Sequence, residues 1–143
     1  DLPVEESQPF HHAAKRAGLG FALFVAPTTS DRRLEHIVSA RPAFVYGVAS
    51  LGVTGERATL SDRARLLSRR IRSVSDVPLV LGVGISTPAQ AVEAAAGADG
   101  IIVGSALVRR VLDAPSASEA IANVASAVRD LAHALRTSSP DEA

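Results

Sequence analysis

The chain has 143 residues, with fifteen Lys/Arg against fifteen Asp/Glu and 47% hydrophobic residues, which suits one domain with a real core. Zero net charge lacks the basic excess of a nucleic-acid binder, and four Phe with one Tyr leave no platform for stacking bases. The absence of Cys excludes a disulfide framework and a zinc–thiolate site, and no apolar run approaches the roughly 18 residues of a membrane helix.

The acidic start Asp1-Leu-Pro-Val-Glu-Glu lacks the basic-then-apolar order of a signal peptide, so a cytoplasmic location is expected. Val4 to about Ala17 reads as a first helix, ended by Gly18 at the C′ position. Glu5 and Glu6 then fall in its first turn, where the helix dipole favours negative charge. Four short, nearly continuous apolar runs follow at 21–26, 43–49, 78–83 and 100–103, as expected of parallel strands buried on both faces.

Helical signatures separate these runs. Ser30 or Asp31 can cap a helix with Leu34, Ile37 and Val38 on one face. Leu60-Ser-Asp62 opens a longer one, with Leu66, Leu67, Ile71 and Val74 expected inside and Arg63, Arg65, Arg69, Arg70 and Arg72 in solvent. Ser86-Thr87-Pro88 is a compact helix start, and Gly97 ends that helix. A short apolar helix at 105–112 precedes a long one from Ser116 to about Arg136, whose stripe is Ala120, Ile121, Val124, Val128, Leu131 and Leu135. The expected division is one unit over 1–137 and a frayed polar tail over 138–143. The regular strand–helix alternation implies right-handed crossovers and a parallel sheet, either open or closed as a barrel.

Ligands of such proteins bind beyond the C-terminal ends of the strands, and three of those ends carry glycines. They are Gly52-Val-Thr-Gly55, Gly82-Val-Gly84-Ile-Ser86 and Gly104-Ser105. Glycine lets the backbone approach a ligand, and a helix N-terminus offers unpaired N–H groups, so together they suit a phosphate. No P-loop lysine follows, and the third glycine of a dinucleotide fingerprint is missing. Phosphate on a small substrate fits better than a nucleotide.

The ionisable candidates are poorer. His11 and His12 are adjacent and point roughly 100° apart on a helix, so they cannot chelate one metal. His36 and His133 occupy polar helix positions, and Lys15, the only lysine, is helical. No Ser/His/Asp set, metal-spaced cluster or acid–base carboxylate pair is visible, so neither a catalytic nor a metal residue is assigned in this chain. Tyr46, in an otherwise apolar strand, either faces a pocket or sits in the core with a backbone partner.

The succession Asp1–Ser7, Val25-Ala-Pro-Thr28, Phe44-Val-Tyr46, Gly52–Gly55, Gly82–Ser86 and Gly104-Ser-Ala-Leu-Val108 resembles the tryptophan synthase alpha subunit over almost the whole chain. The resemblance implies a (β/α)₈ TIM barrel of which this chain covers strands five to eight with their helices. It implies a lyase that cleaves indole-3-glycerol phosphate to indole and glyceraldehyde 3-phosphate. The indole passes to a beta subunit in an alpha2beta2 complex, and pyridoxal phosphate is expected only in that beta subunit. By the same resemblance, main-chain N–H groups around Gly55, Val83, Gly84, Gly104 and Ser105 hold the substrate phosphate. Tyr46 belongs to the pocket, and Gly52 and Thr54 to the mobile loop over it. Asp1 looks like the residue closing strand four, with Asp1–Pro3 toward the beta-subunit contact.

The family's acid–base glutamate lies on strand two and its indole-recognising aspartate on the following loop, regions this sequence does not contain. The chain alone is therefore expected to be inactive. Val83 stands where many relatives carry an aromatic and Ser50 where many carry arginine, which implies a differently shaped pocket. The alternatives are a non-catalytic half-barrel that self-associates or docks on a partner subunit, and a sugar-phosphate isomerase or epimerase.

Overall fold

A computed structural model describes residues 2–48, 60–82 and 84–138 of the chain. Its elements in order are α1 (Gln8–Arg16), β1 (Ala22–Val25), α2 (Asp31–Ser39), β2 (Phe44–Gly47), α3 (Leu60–Arg72), β3 (Leu79–Leu81), α4 (Pro88–Ala95), β4 (Gly100–Ile101), α5 (Ser105–Leu112) and α6 (Ala117–Ser138). The strands form one parallel sheet in the order β1-β2-β3-β4. Each right-handed crossover moves one strand further in the same direction, so successive helices stack on the same face.

Burial follows from that arrangement. Leu23, Val25, Val45, Leu79 and Leu81 point toward the helices and are buried with Leu34, Ile37, Val38, Ala64, Leu67, Ile71, Ala91 and Ala94. Their neighbours along the strands, Ala22, Phe24, Phe44, Tyr46 and Val80, point the other way and are half-buried or exposed. The four runs thus have one covered face in this chain, whereas near-continuous apolar strands predicted two.

Several local expectations change. The predicted first helix is a 3₁₀ turn at Val4–Glu6 followed by α1. Pro9 has no N–H and its ring would collide with a carbonyl one turn earlier, so no α-helix can run through it. Ser7 closes the turn by donating its hydroxyl to the Val4 carbonyl at 2.8 Å. Gly18, at φ +67°, ends α1 in a Schellman motif, with Leu19 N–H bonded to the Ala14 carbonyl at 2.9 Å. Ser30, rather than Asp31, caps α2 through the Arg33 N–H.

The buried stripe of α3 is Ala64, Leu67 and Ile71; Leu66 and Val74 are exposed, because Leu66 lies about 100° around the axis from Leu67 and Val74 follows the helix end. The arginines of α3 are not all in solvent. Arg70 bonds the Pro27 and Thr29 carbonyls and the Asp31 carboxylate, tying α3 to the loop between β1 and α2. Arg72 pairs with Asp99, whose other oxygen accepts the Leu79 N–H at 2.8 Å. Gly97 does end α4, yet its φ is not left-handed: a Cβ there would lie 2.7 Å from the Arg65 nitrogen, so it admits close approach of α3. The apolar stripe of α6 divides between two faces, since Ala127 is buried and Leu131 and Leu135 pack on the core while Ile121 and Val128 are exposed. Ser138 belongs to α6, and residues 139–143 lie outside the described residues.

Candidate functional site

The C-terminal ends of the strands carry the features that suit a ligand. Register places Phe24, Tyr46, Val80 and Gly100 side by side on the uncovered face. The Tyr46 ring lies 5.0 Å from that of Phe24, at 46°. From there the phenol reaches past the end of its strand to lie over Gly82: a Cβ on Gly82 would stand 2.2 Å from the hydroxyl oxygen and 2.7 Å from the carbon bearing it. Tyr46 therefore faces the open side of the sheet and is not a core tyrosine. Its position depends on Gly82, a dependence that strand periodicity alone could not reveal.

The turn after β3 is next. Gly84 has φ +66°, a conformation that a side-chain-bearing residue resists. Ile85 buries its side chain and anchors the turn. Ser86 then leads into α4, whose N-terminus is closed by its own capping box. Thr87 accepts the Gln90 N–H, while the Gln90 side-chain oxygen accepts the Ser86 N–H, Ser86 hydroxyl and Thr87 N–H at 2.9, 3.0 and 3.2 Å. The N-terminus of α4 thus satisfies its own donors.

The N-terminus of α5 differs. Its N-cap is Gly104, which has no side chain, and no side-chain cap bond is made there. Its first N–H groups are the orphan donors every helix begins with, carrying the positive end of its dipole. Ser86 and Ser105 line one cleft of about 440 Å³, completed by Ala106, Arg109, Arg110 and Asp113. The fold thus brings the loop after β3 and the loop after β4 together, with two guanidinium groups on the same cleft.

Of the remaining sequence-predicted positions, Gly52, Thr54, Gly55 and Val83 lie outside the described residues, as does Asp1. Among the described residues no group of His, Asp and Glu is arranged to hold a metal ion. His11 instead stacks on Phe21, with ring centroids 5.0 Å apart. Glu5 forms a two-point ion pair with Arg33 at 2.9 and 3.1 Å. Its own main-chain N–H and then Arg33 hold its carboxyl below the usual range, a structural role. The two arginines of the cleft were not singled out from the sequence; the helical i, i+4 spacing of Arg109 from Ser105 was the available signal.

A sequential four-stranded parallel sheet with helices on one face and glycine turns at its C-terminal ends defines a segment of a (β/α) barrel. Comparison with known proteins agrees. The family described as tryptophan synthase alpha chain matches residues 1–136. The alpha chain of Streptomyces coelicolor is 43% identical over 136 residues, covering 95% of this chain and 50% of the relative. That of Geobacillus kaustophilus is 43% identical over 143 residues, covering 95% and 53%. Among solved structures, Mycobacterium tuberculosis tryptophan synthase superposes with a TM-score of 0.77 at 35% identity, covering 95% of this chain and 49% of that one. A chain of the tryptophan synthase a2b2 complex of Pyrococcus furiosus gives 0.75 at 32%, covering 93% and 53%. The chain belongs to the tryptophan synthase alpha chain family. It spans about half the length of the curated relatives it matches.

Proposed function

We propose that this chain is the C-terminal half of a lyase of tryptophan biosynthesis and supplies the phosphate-holding side of its site. The substrate is indole-3-glycerol phosphate, cleaved to indole and glyceraldehyde 3-phosphate in the cytoplasm, and the partner is a beta subunit that carries the pyridoxal phosphate. The observation that carries this reading is the uncapped start of α5 at Gly104–Ser105, sharing a cleft with Ser86 just beyond the left-handed turn at Gly84. Orphan N–H groups on a helix dipole favour a dianion, and a flexible glycine turn lets it come close. Gly55 and Val83 complete the phosphate set, Tyr46 borders the indole side of the pocket, and the segment with Gly52 and Thr54 closes over it.

On this reading the proton transfers belong to carboxylates of the other half. The 143-residue chain alone then binds phosphate weakly and releases no indole, because each missing proton transfer is worth about 10²–10⁴-fold.

The test joins the first half of the Streptomyces coelicolor relative to this chain and measures indole release from indole-3-glycerol phosphate. Ser105→Glu is the informative variant. A carboxylate at the first residue of α5 suits the helix dipole but repels a phosphate. A KM at least about tenfold higher with unimpaired folding is expected, equivalent to about 1.4 kcal/mol. Unchanged KM, or wild-type-like turnover by the isolated chain, would overturn the reading.

A second reading, a non-catalytic half-barrel that self-associates or docks on a partner subunit, is favoured by the uncovered face of the sheet. It predicts an assembly whose stability does not respond to glyceraldehyde 3-phosphate.

A further inference from the structure

The apolar surfaces left without a partner form one continuous set. On the open face of the sheet, Phe24 is 49% exposed, in register with Tyr46, Val80 and Gly100. Beside the β1 edge, α1 has no buried residue and presents Phe10 at 63% exposure. Toward the other end of the chain, Ala117, Ile121, Val124 and Val128 of α6 recur at i, i+4, i+7 and i+11. With Val111 of α5 they line an open apolar groove of about 800 Å³, where Ile121 is 71% exposed. Both outer strands, β1 and β4, also leave one backbone edge unpaired within the sheet.

We propose that this set is the docking surface for one occupant, a complementary barrel half of four parallel strands and three helices. Its first strand pairs with β4 and its last with β1, and the helix after its first strand lies on the Ile121–Val128 stripe. The inference rests on the barrel assignment above and not on the identity of the substrate.

The helix count selects this occupant over a second copy of the chain. A (β/α)₈ barrel seats eight helices, one after each strand. Among the described residues this chain has four strands, the short α5, and five further helices: α1, α2, α3, α4 and α6. Two copies would supply eight strands but ten such helices. The conflict falls beside β1: there α1 would compete with the α6 of the other copy, which follows the strand now paired to β1. An occupant that ends at its fourth strand leaves that place to α1. The position of α1 agrees, since a helix crossing over from an absent strand has nothing of its own to cover. Length agrees as well, the chain accounting for 50% and 53% of two relatives.

The experiment mixes the 143-residue chain with the part of the Streptomyces coelicolor relative that precedes the matched region, ended at its last strand, and follows sedimentation. A 1:1 complex is expected. A longer fragment carrying its own counterpart of α1 should bind at least about tenfold more weakly, through competition for one place. Phe24→Asp and Ile121→Asp should each weaken the complex on the order of 100-fold by burying an unpaired charge, and Arg32→Glu on the exposed side of α2 should not. A homodimer that persists in excess fragment, or equal binding of the two fragments, overturns the proposal.

Should the isolated fragment not fold, the fused single chain decides. One cooperative urea transition, shifted to lower urea by Phe24→Asp and Ile121→Asp but not by Arg32→Glu, is expected. Indifference to the first two overturns the proposal. A 1:1 complex that releases no indole leaves this interface standing and removes the lyase reading.

Discussion

Replacing Gly82 by Ala tests how the fold holds Tyr46 at the mouth of the site. The new Cβ would stand 2.2 Å from the Tyr46 hydroxyl oxygen, 2.7 Å from the adjacent ring carbon and 3.0 Å from the Ile102 Cβ. Ordinary contact needs about 3.5 Å, so the phenol has to shift by more than 1 Å or leave its rotamer. Displacement costs about 0.5–1.5 kcal/mol of side-chain strain and about as much in the lost Phe24 contact. The Ile102 Cβ sits on the backbone and cannot swing away. Gly82 is not in the left-handed region, so Ala also gains about 0.4–1 kcal/mol through the unfolded chain. A net loss of about 1–2 kcal/mol follows.

A double-mutant cycle by urea unfolding measures it. Gly82→Ala should cost its full amount beside Tyr46, about half beside Tyr46→Phe, which keeps the ring carbon, and almost nothing beside Tyr46→Ala. Equal costs in all three backgrounds would refute the reasoning. In the fused barrel the same substitution should raise KM, because the displaced phenol borders the pocket.

Thr87→Ala removes one side of the capping box of α4 and should cost about 1 kcal/mol in urea unfolding. Arg70→Ala releases the Pro27 and Thr29 carbonyls and should cost about 1–2 kcal/mol, with hydrogen-exchange protection falling in the loop between β1 and α2. The Glu5 carboxyl is held below its ordinary value, so the folded state binds its proton less readily than the unfolded chain does. Its small contribution is therefore present above the ordinary carboxylate range and lost as pH falls through the depressed value. An NMR titration of Glu5 should show a midpoint that rises in Arg33→Ala.

Much of the element order was readable because it is local. Thr87-Pro88 with Gln90 starts a helix through atoms three residues apart, and Gly18 stops one through its own left-handed φ. The short helix at 105–112 was bounded by Gly104 before it. Errors arose where a distant element decided the outcome. Leu66 and Ile121 satisfy a helical apolar pattern as well as their neighbours, but whether they are buried depends on which helix lies opposite. Arg70 reads as one charge in a basic run until the loop after β1 is folded against it.

The same division holds for the site. Sequence alone determined the class of chain, because strand–helix alternation and glycines after successive apolar runs are properties of short segments. It also named Gly84, Gly104, Ser105 and Tyr46 as the residues to watch. Tertiary structure decided which of these meet: Ser86 and Ser105, nineteen residues apart, share a cleft because β3 and β4 are neighbours in a parallel sheet. It decided that Tyr46 lies over Gly82, a contact between adjacent strands that no spacing encodes. It also showed the sheet to be covered on one face, which periodicity cannot report: a strand's apolar residues mark where a partner packs, and only the folded chain shows whether it carries that partner.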